Sequence, residues 1–341
     1  MQAVHGRRLP AEWEMQRVAL LTWPHAGGDW GDNLAEVEQT FLRMAEAILG
    51  HQPLVIACSD QPARQRLQSQ LAPHGAPDIH VVPSNDIWVR DHGPITVVGR
   101  DGRPRLLDFK FNGWGGKYPA EKDDRLTRHL HATGAFGDLP LESVPWILEG
   151  GSLETDGRGT LLTTSSCLLT DTRNPGTDKG WWEDRFAEWF GIDRVLWLDH
   201  GHLEGDDTDG HVDMLARFVN PETIVYTACD DPDDPHYDSL ARMADQLRAF
   251  RSRSGKPYHL IPLPWPSAHH DETGERLPLS YANFLVINGA VLLPCYAQPQ
   301  DQAAENLLAP LFPGRELHRI PALPLIRQHG SVHCATQQIV R

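Results

Sequence analysis

One cysteine, one histidine and several carboxylates, set in turns far apart along the chain, are the groups of this sequence best suited to act together. Cys334 sits among polar residues in GSVHCATQQ, whereas Cys58, Cys167, Cys229 and Cys295 lie in apolar, strand-like runs and read as small core residues. A thiol needs positive charge nearby to ionise at neutral pH. His211 can supply it, and so can a cationic substrate, while carboxylates alone push the thiol the other way. Asp91 lies in NDIWVRDHGP, Glu149 ends an apolar run in LEGG, and His211 and Asp213 open HVDMLARFV. Read as a strand, that last run places His211 and Asp213 on one face.

These residue types match the chemistry of a guanidinium. Such a group stays charged and planar and presents N–H donors in a fork, which carboxylates hold in bidentate pairs. Its carbon is resonance-stabilised, so attack calls for a soft nucleophile such as thiolate. Ammonia leaves only once protonated, and the histidine that gives that proton can then activate water to open the amidino thioether.

Blander readings stand beside this one. Arg90 can form an ion pair with Asp86 or Asp91, and Glu204–Asp207 reads as a solvated acidic loop. The cluster Asp199–Asp213 has spacings that suit a metal-dependent amidohydrolase, with His200 and His202, or His211 and Asp213, as ligands two residues apart. A polyamine-binding module is a third reading.

The elements that must position these groups alternate between helix and strand, which gives an α/β class. Apolar spacing predicts helices over 33–49, 62–71, 121–131, 179–190, 238–251 and 302–311. Trp182, Phe186, Trp189 and Phe190 read as a core stripe. Strands are expected at LVIAC, IHVV, ITVV, TLLTT, RVLWL, TIVYTA, FLVI, AVLLP and CATQQIV. One polar residue per Gly-containing or polar turn, taken as Asp91, Glu149, His211, Asn283 and Cys334, recurs roughly every sixty residues, as in a repeat of modules around an axis.

Composition bounds the rest. The chain has 341 residues, 40% of them hydrophobic and 23% charged, enough to bury a core. Its net charge of −15 repels nucleic acid and suits a small cation. The longest apolar run, Phe284–Tyr296, is interrupted by Asn288 and Gly289 and falls short of the ~20 residues that span a bilayer. Five cysteines without CxxC spacing argue for reduced thiols rather than a disulfide framework. MQAVHGRRLPAEWE lacks an apolar export core. A cytoplasmic protein without membrane or nucleic-acid partners is expected.

In order along the chain, NDIWVRDHGPITVV, FNGWGGKY, LEGGSLETDGRGTLLTTSSCLL, DTDGHVDMLARFV, YANFLVINGAVLLP and GSVHCATQQ resemble the agmatine deiminases, in the branch of the guanidine-modifying (pentein) superfamily that includes bacterial-type peptidylarginine deiminases. The similarity runs from about residue 9 to the C-terminus. It implies a five-bladed α/β propeller of ββαβ-type modules about a pseudo-fivefold axis, with residues 1–341 as a single catalytic domain. It implies Cys334 as nucleophile, His211 as general acid/base, Asp91 and Asp213 as guanidinium clamps, and Glu149 bonded to the guanidinium and orienting His211. Asp86, Trp88, Trp114 and Gly115 then wall a narrow substrate channel. The implied reaction turns agmatine and water into N-carbamoylputrescine and ammonia, as in putrescine synthesis from arginine, with no cofactor and no metal; a homodimer is ordinary for the family. The chain departs from plant-type members at RQHGSVHC, where they carry GGGNIHC, and at Asp209 and Met214. These positions bear on the substrate tail. Arginine and peptidyl-arginine remain alternative substrates, the first needing a partner such as Arg90 or Lys117 for its carboxylate.

Overall fold

Short apolar runs become strands buried on both faces. In a computed structural model that describes residues 6–341, the strands Leu54–Cys58, Thr160–Thr164, Thr223–Thr227 and Ala290–Cys295 are buried throughout, which is why they read as continuous apolar or β-branched stretches. Each lies inside one of five small sheets.

The sheets share one internal order. A first strand pairs antiparallel with a second, and a third returns parallel to the second after a helical connection. The first sheet uses Ile95–Gly99, Pro104–Lys110 and Leu141–Ile147, with Arg7–Arg8 added at its edge. The second uses Glu154–Thr155, Thr160–Thr164 and Arg194–Leu198, and the third Ala216–Asn220, Thr223–Thr227 and His259–Leu263. The fourth uses Leu285–Ile287, Ala290–Cys295 and Glu316–Pro321. In the fifth, the last strand Thr336–Val340 pairs antiparallel with Gln16–Thr22, which runs parallel to Leu54–Cys58, itself parallel to Asp78–Val81. The last strand of the described chain thus pairs with its second. Among the described residues the five sheets stay separate and no closed sheet forms.

The helices follow their sequence signals. Leu34–Leu49 buries Val37, Phe41, Met44 and Ile48. Gln61–Leu71 starts at Asp60, whose side chain accepts from Ala63 N. Lys179–Phe190 is capped by Asp178 and buries all four residues of the aromatic stripe. The remaining predicted helices span Asp123–Ala132, Tyr237–Ala249 and Gln300–Leu308, displaced by one to three residues from their predicted limits.

Two local expectations are corrected. HVDMLARFV is not a strand from its start: Val212–Met214 forms a 3-10 turn and the strand begins at Ala216. The SSCLL segment is a helical turn, Ser165–Leu168, rather than strand. The inner strands Gln16–Thr22 and Pro104–Lys110 and the two-residue Arg7–Arg8 and Glu154–Thr155 escaped the pattern, as did three edge strands, Leu141–Ile147, His259–Leu263 and Glu316–Pro321. These last three are partly exposed and carry Pro145, Pro262 and Pro321, which an edge tolerates because one side of its ladder is unpaired.

One regularity positions the chemistry. Asp91, Glu149, His211, Asn283 and Cys334 each stand just before the first strand of their sheet.

Candidate active site

Short turns hold the reactive groups. Asp91 lies in the single helical turn Val89–His92, Glu149 leads into the 3-10 turn Gly150–Ser152, and His211 leads into Val212–Met214. All are buried, as are Asp213, Asn283 and Cys334. They converge because Gly151 has no side chain. A Cβ at that position would lie 2.5 Å from His211 Nδ1, 2.9 Å from Asp91 Oδ1 and 3.2 Å from Asp213 Oδ2. His211 and Asp213 therefore share the pit through a turn, not through strand alternation.

Asp91 is fixed at both oxygens, by Gly151 N at 2.9 Å and Trp114 Nε1 at 2.9 Å. Asp213 Oδ2 accepts from His333 Nδ1 at 2.8 Å and lies 3.7 Å from Cys334 Sγ. Asn283 Nδ2 donates to Cys334 Sγ at 3.1 Å. His211 Nε2 meets Glu149 Oε2 at 2.8 Å, and its Nδ1 lies 3.6 Å from Asp91 Oδ1. Asp213 Oδ1 and His211 Nδ1 are buried without a hydrogen-bond partner. Buried polar atoms are rarely left so, and in this pit they mark places for a ligand's donor and a mobile proton.

Above the pit opens a pocket of about 760 Å³, including space continuous with solvent, a size that accepts a small molecule. Cys334, His211 and Asp91 line its inner end, with Trp88, Trp114 and Met214 on the walls and Asp29, Asp86, Tyr118 and Asp207 toward the more exposed end. No Arg or Lys lines it; His329 does, with Nδ1 unpartnered. Gly330 lets this loop lie against the Trp88 ring, which a Cβ would strike.

Burial and like charge set the protonation states. Burial opposes charge on His211, but Asp91 and Glu149 outweigh it and raise its pKa well above the ordinary imidazole value. Glu149 stays ionised, because His211 and Arg173 overcome its burial and lower its pKa. His333 likewise overcomes burial at Asp213 and lowers its pKa. At Asp91 burial prevails over the attraction of His211, and the pKa rises to about 6. Burial, with Asp213 and Asp91 alongside, pushes the Cys334 thiol well above its usual value. Asp86 is raised by burial and by Asp29 to about 7.

Several expectations change at this level. The guanidinium that Glu149 holds is the protein's own: Arg173 Nε donates to both its oxygens at 2.9 Å, and Arg173 Nη1 reaches Asp209 Oδ2 at 2.6 Å. Glu149 and Asp213 stand behind the pocket wall rather than on it, and Gly115 is not on the wall but packs beneath Thr172. Arg90 pairs with neither Asp86 nor Asp91; it donates to Gln337 Oε1 at 2.8 Å and to His333 O at 3.3 Å. Lys117 is taken by Asp209 at 2.9 Å. Asp207 is not merely solvated but faces the pocket. Cys167 is more than filler, its Sγ lying 3.8 Å from Glu149 Oε2, while Cys229 is only half-buried. His200 and His202 do not gather with Asp213; the three-donor groups among the described residues are His51–Glu316–His318 and Glu149–Cys167–His211.

Sequence reasoning missed Arg173, His333 and Glu12, whose Oε2 lies 2.6 Å from His333 Nε2. Nothing local marks Arg173 or Glu12. His333 could have been found only by its place beside Cys334.

Comparison with known proteins places the chain among deiminases. Residues 8–339 match the family described as Porphyromonas-type peptidyl-arginine deiminase. The agmatine deiminase of Stutzerimonas stutzeri is 34% identical over 98% of this chain and 95% of its own. A Porphyromonas gingivalis protein assigned provisionally as an arginine deiminase is 46% identical, with a TM-score of 0.91 over 98% of both chains. The C. jejuni agmatine deiminase, as a cysteine-to-serine variant with substrate bound, is 32% identical, with a TM-score of 0.91 over 98% of this chain and 96% of that one.

Proposed function

The chain belongs to the Porphyromonas-type peptidyl-arginine deiminase family, and on that premise we propose that it hydrolyses agmatine to N-carbamoylputrescine and ammonia through a covalent amidino-cysteine intermediate. This is the guanidine-opening step of putrescine synthesis from arginine. The observation that carries the reading is the pair of orphaned atoms, Asp213 Oδ1 and His211 Nδ1, in the pit where Cys334 meets an acid-lined pocket without Arg or Lys.

In this mechanism the guanidinium enters between Asp91 and Asp213. Its charge offsets the carboxylates that hold the Cys334 proton in place, so the thiol releases that proton to solvent when substrate is bound. Sγ attacks the guanidinium carbon, and His211 gives its proton to the departing nitrogen, which leaves as ammonia. Neutral His211 then takes a proton from water, whose oxygen adds to the amidino carbon. The adduct's hydroxyl proton passes to the sulfur as the C–S bond breaks, so the ureido product leaves and the neutral thiol is restored. Glu149, held by Arg173, orients the imidazole. Trp88 and Trp114 wall the methylene chain, and Asp86, with Asp29 and Asp207, faces the distal ammonium. An α-carboxylate would meet these acids, with only His329 to oppose them.

In the same reading the five like-ordered sheets are the blades of a pentein propeller about a pseudo-fivefold axis, and residues 1–341 form one catalytic domain. The enzyme works in the cytoplasm as a homodimer. Among the described residues no helix is long and apolar enough to cross a membrane.

Ammonia release measured side by side on agmatine, arginine and a peptidyl-arginine tests the proposal. Agmatine is expected to be the best substrate by at least about 100-fold in kcat/KM, since an unpaired carboxylate facing acids costs several kcal/mol. Cys334→Ser should cut agmatine turnover by about 1,000-fold or more with the fold intact. Preference for arginine would move the assignment to the activity named for the P. gingivalis protein, with His329 as the carboxylate's partner.

A further inference from the structure

Away from the pit, two histidines and a glutamate meet where the fourth sheet approaches the fifth. His51 lies in the turn between helix Leu34–Leu49 and strand Leu54–Cys58. Glu316 and His318 stand two apart on strand Glu316–Pro321, so their side chains leave the same face. His51 Nε2 is 3.1 Å from His318 Nε2 and 3.6 Å from Glu316 Oε2, and His318 Nε2 is 3.9 Å from that oxygen. Ligands about 2.0–2.1 Å from a tetrahedral ion stand about 3.4 Å from one another. All three separations fall within about 0.5 Å of that edge.

We propose that His51, His318 and Glu316 bind a divalent transition-metal ion of the zinc, nickel or copper class. Imidazole with carboxylate suits these ions better than magnesium or calcium. Among the described residues none of the three side chains has a hydrogen bond or ion pair outside the group. The imidazoles are 19% and 29% exposed and Glu316 is 67% exposed, which leaves a coordination position open to water.

The turn at Gly289 seats the group. A Cβ on Gly289 would fall 3.0 Å from His51 Nδ1, and Gly289 O accepts from Glu316 N at 2.8 Å. Because Leu34–Leu49 packs on Glu316–Pro321, the ion clips a helix end to a neighbouring edge strand. Its role is structural, as none of the three residues lines the reactive pocket. The buried trio Glu149–Cys167–His211 is a poorer site, since Arg173 already donates to both Glu149 oxygens.

The test is equilibrium dialysis of the chelator-treated full chain against micromolar Zn²⁺, with ions per chain counted by mass spectrometry. Wild type and Cys334→Ser should each bind one ion that His51→Gln and His318→Gln lose. Zn²⁺ at about 100 times its Kd should raise Tm by a few degrees in wild type and in neither histidine variant. Metal-free His51→Gln should keep wild-type ammonia release, which reports its folding; if it does not, the more exposed Glu316→Gln replaces it and should weaken binding at least about tenfold. Equal zinc uptake by wild type and the histidine variants, loss of the ion in Cys334→Ser alone, or no binding by wild type would overturn the proposal.

Discussion

Cys334 rests as a neutral thiol beside a charged imidazole. Burial, Asp213 and Asp91 raise the thiol pKa, while Asp91 and Glu149 hold the proton on His211 against its burial. The Asn283 amide, 3.1 Å from Sγ, favours the thiolate but supplies only a dipole. The signs predict a specific response to pH. Alkylation of Cys334 by iodoacetamide in the substrate-free enzyme should climb with pH and reach no plateau below about 9, the ordinary thiol range. A plateau near neutrality would mean that His211 alone ionises the thiol, and the substrate's charge would lose its part in the mechanism.

The site is built from short turns rather than from the interiors of helices or strands. Each reactive group precedes the first strand of its sheet, where the backbone can bend a side chain inward while the strand fixes its root. The turn at Gly150–Ser152 is the most demanding, because Gly151 lies where His211, Asp91 and Asp213 approach one another. Gly151→Ala should lower kcat/KM for agmatine by about 100-fold or more, as displacing reacting groups by about 1 Å commonly does. Its circular dichroism should stay that of wild type. Wild-type kinetics would show that the pit has slack the geometry denies. Arg173 works at the same scale: it joins Glu149 to Asp209 and to Thr208 O, tying the imidazole's orienting group to the loop that carries Asp207 into the pocket.

At the scale of the whole molecule, a net charge of −15 attracts a small cation from solution. Agmatine carries two positive charges, pentylguanidine one. The kcat/KM for agmatine should fall several-fold as ionic strength rises from about 10 to 200 mM, more steeply than for pentylguanidine. Equal slopes would remove long-range steering from the account. The sequence by itself determined the α/β class, most helices, an inner strand of every sheet and the residue types suited to act together, because apolar periodicity and residue type are local properties. It also held the roughly sixty-residue rhythm that places one polar residue before each sheet. The edges at Leu141–Ile147, His259–Leu263 and Glu316–Pro321 were illegible, since a half-exposed, proline-bearing run owes its conformation to the neighbour it pairs with. Only the tertiary structure decided that Arg173 rather than substrate holds Glu149, that Arg90 turns to Gln337, and that Glu12 reaches His333 from the other end of the chain. A buried charge takes whichever opposite charge packing brings within reach, and that choice is made by contacts between distant segments.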